Sequence, residues 1–157
     1  MYHASIFILL LSCSSRKESP THLSLEEAKK SAGYMAGKVV YEQKCIVCHK
    51  GDGLGSPGVF PPLKGSPWID REATLLASIL TRGLGGEISV SGAIYRSAMP
   101  PQELTVQQTF DVITYIRYEF AENTDPFSIE EIEGVHKKGG GTIYGEAELN
   151  SLYPSAK

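Results

Sequence analysis

At 157 residues and 41% apolar content, the chain is long enough for one domain with its own core and terminal extensions. Net charge is −3, and no segment has the basic excess of a nucleic-acid binder, so that class of partner is excluded. The acidity is uneven: residues 14–30 carry +1, residues 31–122 carry −1 and residues 123–157 carry −3.

Ile6 to Leu11 is a purely apolar run, too short to span a bilayer as a helix and close to the length of a signal-peptide core. Leu10, Leu11, Ser12 and Cys13 then resemble a bacterial lipobox. That resemblance implies export, cleavage before Cys13 and lipidation of its sulfur, which would tether the chain to a membrane. No Lys or Arg precedes Ile6, a departure from the positive start of a signal. The alternative is an uncleaved apolar tail with a free thiol. Residues 14–30 read as a polar tether broken by Pro20.

Helix-forming residues begin at Leu25, where Ser24 is placed to cap and Glu27 stands three positions later. Gly33 and Gly37 weaken the middle of this stretch, predicting two helical pieces or one that begins in earnest near Ala32. Gly37 and Tyr41 lie four apart on one face, which predicts a close approach by another helix. A simple flexible joint at Gly37 is the competing reading.

The next segment carries the chemistry. Cys45, Cys48 and His49 form a CxxCH box, in which two thiols can add to the vinyl groups of a haem and the adjacent imidazole can bind its iron. A structural zinc site normally needs four protein ligands, and the one other cysteine, Cys13, is distant. A thioredoxin-type pair needs a strand before it and a helix after it. Here the box ends a helix-like segment and runs into a glycine-rich stretch.

Residues 51–67 form a long loop punctuated by glycine and proline, and long loops in small domains are usually functional. Around a haem it would pass the His49 side, where a carbonyl from the Pro61–Pro62 region would hold the imidazole Nδ1–H. Trp68, the single tryptophan, reads either as a haem-edge residue donating to a propionate or as an ordinary core residue. Arg71–Arg82 has an amphipathic helical pattern closed by Gly83. A second glycine-bearing loop leads to Met99, and Val106–Phe120 carries a continuous apolar stripe, with Thr105 as N-cap.

An electron-transfer haem needs a sixth ligand that stays on in both oxidation states, and a thioether favours ferrous iron. The methionines stand at 1, 35 and 99. Met1 leaves with the signal and Met35 lies on the helix before the box, so Met99, stiffened by Pro100 and Pro101, is the candidate. Residues 123–157 are acidic, contain Gly139 to Gly141 and show no convincing period. They read as an extension that either wraps the domain or stays disordered, with His136 in solvent rather than on a metal.

The order of the CxxCH box, PPLKGSPW, IYRSAMPP and the last amphipathic helix, spanning residues 31–122, resembles class I mono-haem c-type cytochromes. The resemblance implies an all-α, small cytochrome c fold of three to five helices around one covalent haem c. It also implies Cys45 and Cys48 as thioether sites, His49 and Met99 as axial ligands, Pro62 near the proximal imidazole and Trp68 near a propionate. The helix of Gly37 and Tyr41 would cross the last helix near Tyr115. Arg96 departs from the family's small polar residue at that point, either pairing with a propionate or facing a partner. The expected function is one-electron relay in the bacterial envelope, at the periplasm or the outer face of a membrane. Partners would be redox proteins such as a dehydrogenase, reductase or oxidase, with no catalysis by this chain. Alternatives are a haem subunit fixed in a larger oxidoreductase, and a haem enzyme or gas sensor with an open sixth position.

Overall fold

The computed structural model describes residues 25–122 and 125–154. In chain order the elements are α1 (Leu25–Ala28), α2 (Ala32–Lys44), α3 (Ile46–His49), α4 (Ala73–Arg82), β1 (Ile88–Val90), β2 (Ala93–Tyr95), α5 (Val106–Phe120), α6 (Ile129–Lys137) and α7 (Glu146–Leu152). These seven helices exceed the three to five expected. Two are single turns, and two more come from the acidic extension. The β1–β2 hairpin is a second correction, because that stretch reads as loop. Ser91 at φ 48° and Gly92 at φ 83° make the two-residue turn that joins such short strands.

The frame is the crossing of α2 and α5. Ser31 caps α2 by accepting from the Tyr34 N–H at 3.1 Å. Thr105 caps α5 in a reciprocal capping box with Gln108, satisfying two of the N–H groups that a helix start leaves open. The helices touch at Gly37, where a Cβ would lie 1.9 Å from the Asp111 carbonyl oxygen and 2.9 Å from the Tyr115 Cβ. Close contact, not a flexible joint, is the reason for that glycine. The Tyr115 ring packs between Tyr34 and Tyr41, with centroids 5.0 and 5.2 Å away, and Phe120 closes the cluster 5.4 Å from Tyr41.

One ionic tie crosses the same interface. Glu119 accepts from the Tyr34 hydroxyl at 2.6 Å and pairs with Lys29 at 3.1 Å. Burial pushes its carboxyl upward, but the Tyr34 hydrogen bond and the Lys29 charge outweigh that and hold it below the usual range. A carboxylate depressed on folding stabilises fully above its unfolded pKa, and that stabilisation is lost as pH falls through the folded value. Glu119→Gln should therefore cost about 0.5–1 kcal/mol at neutral pH. Denaturant melts at descending pH should show this deficit closing; a deficit constant down to acid pH would contradict the assignment.

α4 begins at Ala73, two residues later than its sequence pattern suggests, because Glu72, at φ −58° and ψ 140°, is not helical; the Arg71 guanidinium donates to Asn150 and to the Tyr153 carbonyl. The apolar face of α4 divides between two cores. Leu76, Ala77 and Leu80 belong to the core that α2, α5 and Ile132 of α6 share, whereas Leu75 and Ile79 join Leu84, Ile88, Tyr144 and Leu149.

The extension wraps the domain. Ser128 and Glu131 form a capping box for α6, which packs on α4 and α5 and buries Ile132 completely. His136 is not in solvent as expected: it is half-buried, with Nε2 3.0 Å from the Thr109 hydroxyl. The Tyr153 hydroxyl meets Ser78 at 2.6 Å. Likewise Ala28, inside the stretch read as tether, is fully buried.

Candidate functional site

The end of α2 runs directly into the single turn of α3. Cys48 and His49 donate their N–H groups to the Cys45 carbonyl at 3.2 and 2.9 Å, so the three functional side chains share one side of a helical turn. Cys45 is buried. Burial first, and Cys48 second, push its thiol up to about 11, so in the unligated chain it is a neutral thiol. Cys48 is half-buried at the end of the same turn.

His49 is oriented by the loop just after it. Leu63 donates to the Gly53 carbonyl at 2.7 Å and Phe60 to Ser56 at 2.8 Å, folding the loop back so that the Pro61 carbonyl meets His49 Nδ1 at 3.1 Å. Nδ1–H donates there, which leaves Nε2 with its lone pair. Burial lowers the imidazole pKa, against the opposing effect of the Pro61 bond, and favours the neutral form that binds metals. Tyr41 ties the start of this loop to α2, its hydroxyl donating to the Lys50 carbonyl at 2.6 Å.

Cys45, His49, Pro62, Trp68 and Met99 all line one cleft of about 740 Å³, its open mouth included, together with Leu76, Ile79 and Leu80 of α4. Met99 reaches it from a loop fixed on both sides: its N–H donates to the Leu84 carbonyl at 2.7 Å, and its carbonyl accepts from Leu84 at 2.9 Å. It packs against both cores. The fold thus brings together residues separated by some fifty positions in the chain.

Trp68 and Arg96 both have partners of their own within the protein. The Trp68 indole N–H donates to the Ser89 carbonyl at 3.0 Å, tying the ring to the hairpin while it lines the cleft. Arg96 pairs with Glu87 at 2.9 Å on an exposed surface. Sequence reading missed Leu84, Ile88 and Val90, which line the cleft from the hairpin side; the buried–exposed–buried pattern of Ile88–Val90 is the alternation that could have found two of them. Cys13 lies outside the described residues.

The donor set decides what fits. A neutral imidazole, a thioether and a neutral thiol in an otherwise hydrocarbon wall suit a large apolar macrocycle with a soft-ligated iron, and are a poor match for a hard cation that needs oxygen. Among the described residues no group of three or more His, Cys, Asp or Glu converges as a metal site. The described residues also include no helix long and apolar enough to cross a membrane.

The cytochrome c family model matches residues 34–119. The chain is 30% identical over 112 residues to cytochrome c-552 of Thermus thermophilus, covering 65% of this chain and 85% of that one. It is 35% identical over 91 residues to the cytochrome c subunit of alcohol dehydrogenase (quinone) of Gluconobacter oxydans, covering 56% and 19%. The corresponding subunit of Komagataeibacter europaeus is 36% identical over 85 residues, covering 52% and 18%. The chain therefore spans less than a fifth of the length of these dehydrogenase subunits.

Proposed function

The chain belongs to the cytochrome c family, and we propose that it relays single electrons in the bacterial envelope through one haem c ligated by His49 and Met99. As a member of that family it is an electron carrier, not a catalyst, and it holds haem c covalently. Bound haem supplies the ferric/ferrous couple. The supporting observation is that His49 and Met99 line a single apolar cleft with Cys45 on its wall.

Each residue then has a task. Cys45 and Cys48 form the thioethers of one haem, the class I mono-haem arrangement that the CxxCH box and the motifs after it resemble. His49 presents Nε2 because Pro61 holds Nδ1, and Pro62 and Trp68 form the haem surroundings. Both axial side chains come from anchored backbone, so little moves when the iron changes charge, which is what fast outer-sphere transfer requires.

Residues 1–13 are a signal peptide with a lipobox ending at Cys13, which becomes the first residue and carries the lipid, and the protein works at the periplasm or the outer face of a bacterial membrane. The likeness to the alcohol dehydrogenase subunits supports a dehydrogenase as electron donor, with this chain as a separate acceptor or as a haem subunit fixed within the complex. Fast reduction of the purified carrier, with no enzyme co-purifying, distinguishes the first from the second.

Intact mass with a reduced-minus-oxidised spectrum tests the haem and lipid assignments together. The expected mass is that of a chain starting at Cys13, plus one haem and a lipid. Cys45→Ala or Cys48→Ala should leave a haem held by one bond, with its reduced bands shifted to the red, and the double variant should lose its haem on denaturation. Retention of haem through denaturation in the double variant would rule out these attachment sites.

A further inference from the structure

The family match ends at residue 119, yet the extension beyond it touches the segment that holds Met99. Leu84 is bonded to Met99 through both backbone groups, as an antiparallel bridge. The other edge of the same segment is taken by the extension: Tyr144 donates to the Gly83 carbonyl at 3.2 Å and its carbonyl accepts from Gly85 at 2.8 Å. Leu84 thus lies between Met99 on one side and Tyr144, in parallel, on the other.

Side chains lock this arrangement. Tyr144 is buried with Leu149 against Leu84 and Ile88, and the Arg82 guanidinium lies 3.7 Å from its ring centroid. Arg82 also donates twice to the Thr142 carbonyl, at 3.0 and 2.8 Å, and pairs with Glu148 at 3.4 Å. Gly83, at φ 81°, shows how tightly the layers meet: a Cβ there would lie 2.5 Å from the Met99 carbonyl oxygen and 3.0 Å from Ile143.

We infer that the C-terminal extension is a strap that holds Met99 on the iron, with Tyr144 and Arg82 as its positioning residues. The inference rests on the reading of Met99 as axial ligand. Loss of a loop-borne ligand is a local opening, and its frequency is set by the contacts that hold the loop in place. With Tyr144 seated, the Gly83–Gly85 segment is an inner rung with partners on both edges. Without it, the segment that anchors Met99 is an edge with a single neighbour.

Stopped-flow binding of carbon monoxide to the reduced, full-length holoprotein reads this opening, and the weak sulfur-to-iron band of the oxidised form reports the bond itself. Tyr144→Ala should bind carbon monoxide faster by about tenfold or more and lose the band at a lower temperature. Tyr144→Phe, which keeps the ring on Arg82 and the backbone bonds, should match the unaltered protein. Arg82→Lys, a milder change, should act in the same direction as Tyr144→Ala and gives the reading even if the alanine variant does not accumulate. Native carbon monoxide kinetics and a native band in Arg82→Lys and in any folded Tyr144→Ala overturn the strap while leaving Met99 as ligand. An unaltered protein that lacks the band and binds carbon monoxide at once overturns the ligand assignment and the strap with it.

Discussion

Gly37→Ala is expected to destabilise the holoprotein by about 3 kcal/mol or more, the upper end of the cost of overpacking a closed interior. The new methyl would stand 1.9 Å from the Asp111 carbonyl oxygen and 2.5 Å from the carbonyl carbon. Both are backbone atoms of α5, so no side-chain rotation relieves the clash and the helices must separate. Separation would disturb the packing of Tyr34 and Tyr41 against Tyr115 and the bonds of Glu119. Gly33→Ala is the matched control. Its Cβ would meet Asp111 Oδ1 at 3.4 Å, an ordinary contact, and alanine favours the helix by about 0.5–1 kcal/mol. Chemical denaturation of the two variants should thus give opposite signs. Equal stability for Gly37→Ala and the unaltered protein would mean that the α2–α5 crossing is not the rigid frame of the fold.

This crossing, and the donor set beside it, were legible for different reasons. Cys45, Cys48 and His49 are contiguous, and one helical turn is enough to place them together. α5 has the predicted bounds Val106–Phe120 because a long apolar stripe and a capping threonine both act locally. The extension was harder to read. The Ser128–Glu131 capping box is a local signal that went unread, and the burial of Ile132 depends on α4 and α5 lying beneath it. The same holds for His136, whose partner Thr109 belongs to α5. Tyr144 takes its place through backbone bonds to Gly83 and Gly85, which leave no side-chain pattern behind. The Ser91–Gly92 turn was available as a hairpin signal, but the surrounding glycines made the stretch look like continuous loop.

Met99→Ala is expected to open the iron while leaving the fold in place. The loop is held by backbone bonds to Leu84, which alanine retains, so the loss is confined to the thioether. The oxidised protein should lose the sulfur-to-iron band, the reduced protein should bind carbon monoxide readily, and the potential should fall by on the order of 0.1 V or more, within the range of about 0.8 V that axial ligation spans. The direction follows from the ligand: a thioether favours ferrous iron, and its loss removes that preference while the rest of the cleft wall is unchanged. Met99→His separates ligand identity from ligand vacancy. An imidazole at this position should keep the iron closed to carbon monoxide yet still lower the potential, because it stabilises ferric iron better than sulfur does. If Met99→Ala retained the band and the native potential, another side chain would have to supply the sixth ligand. Met35, 52% exposed on α2, is the other methionine among the described residues and does not line the cleft, so its sulfur could reach the iron only if the fold rearranged.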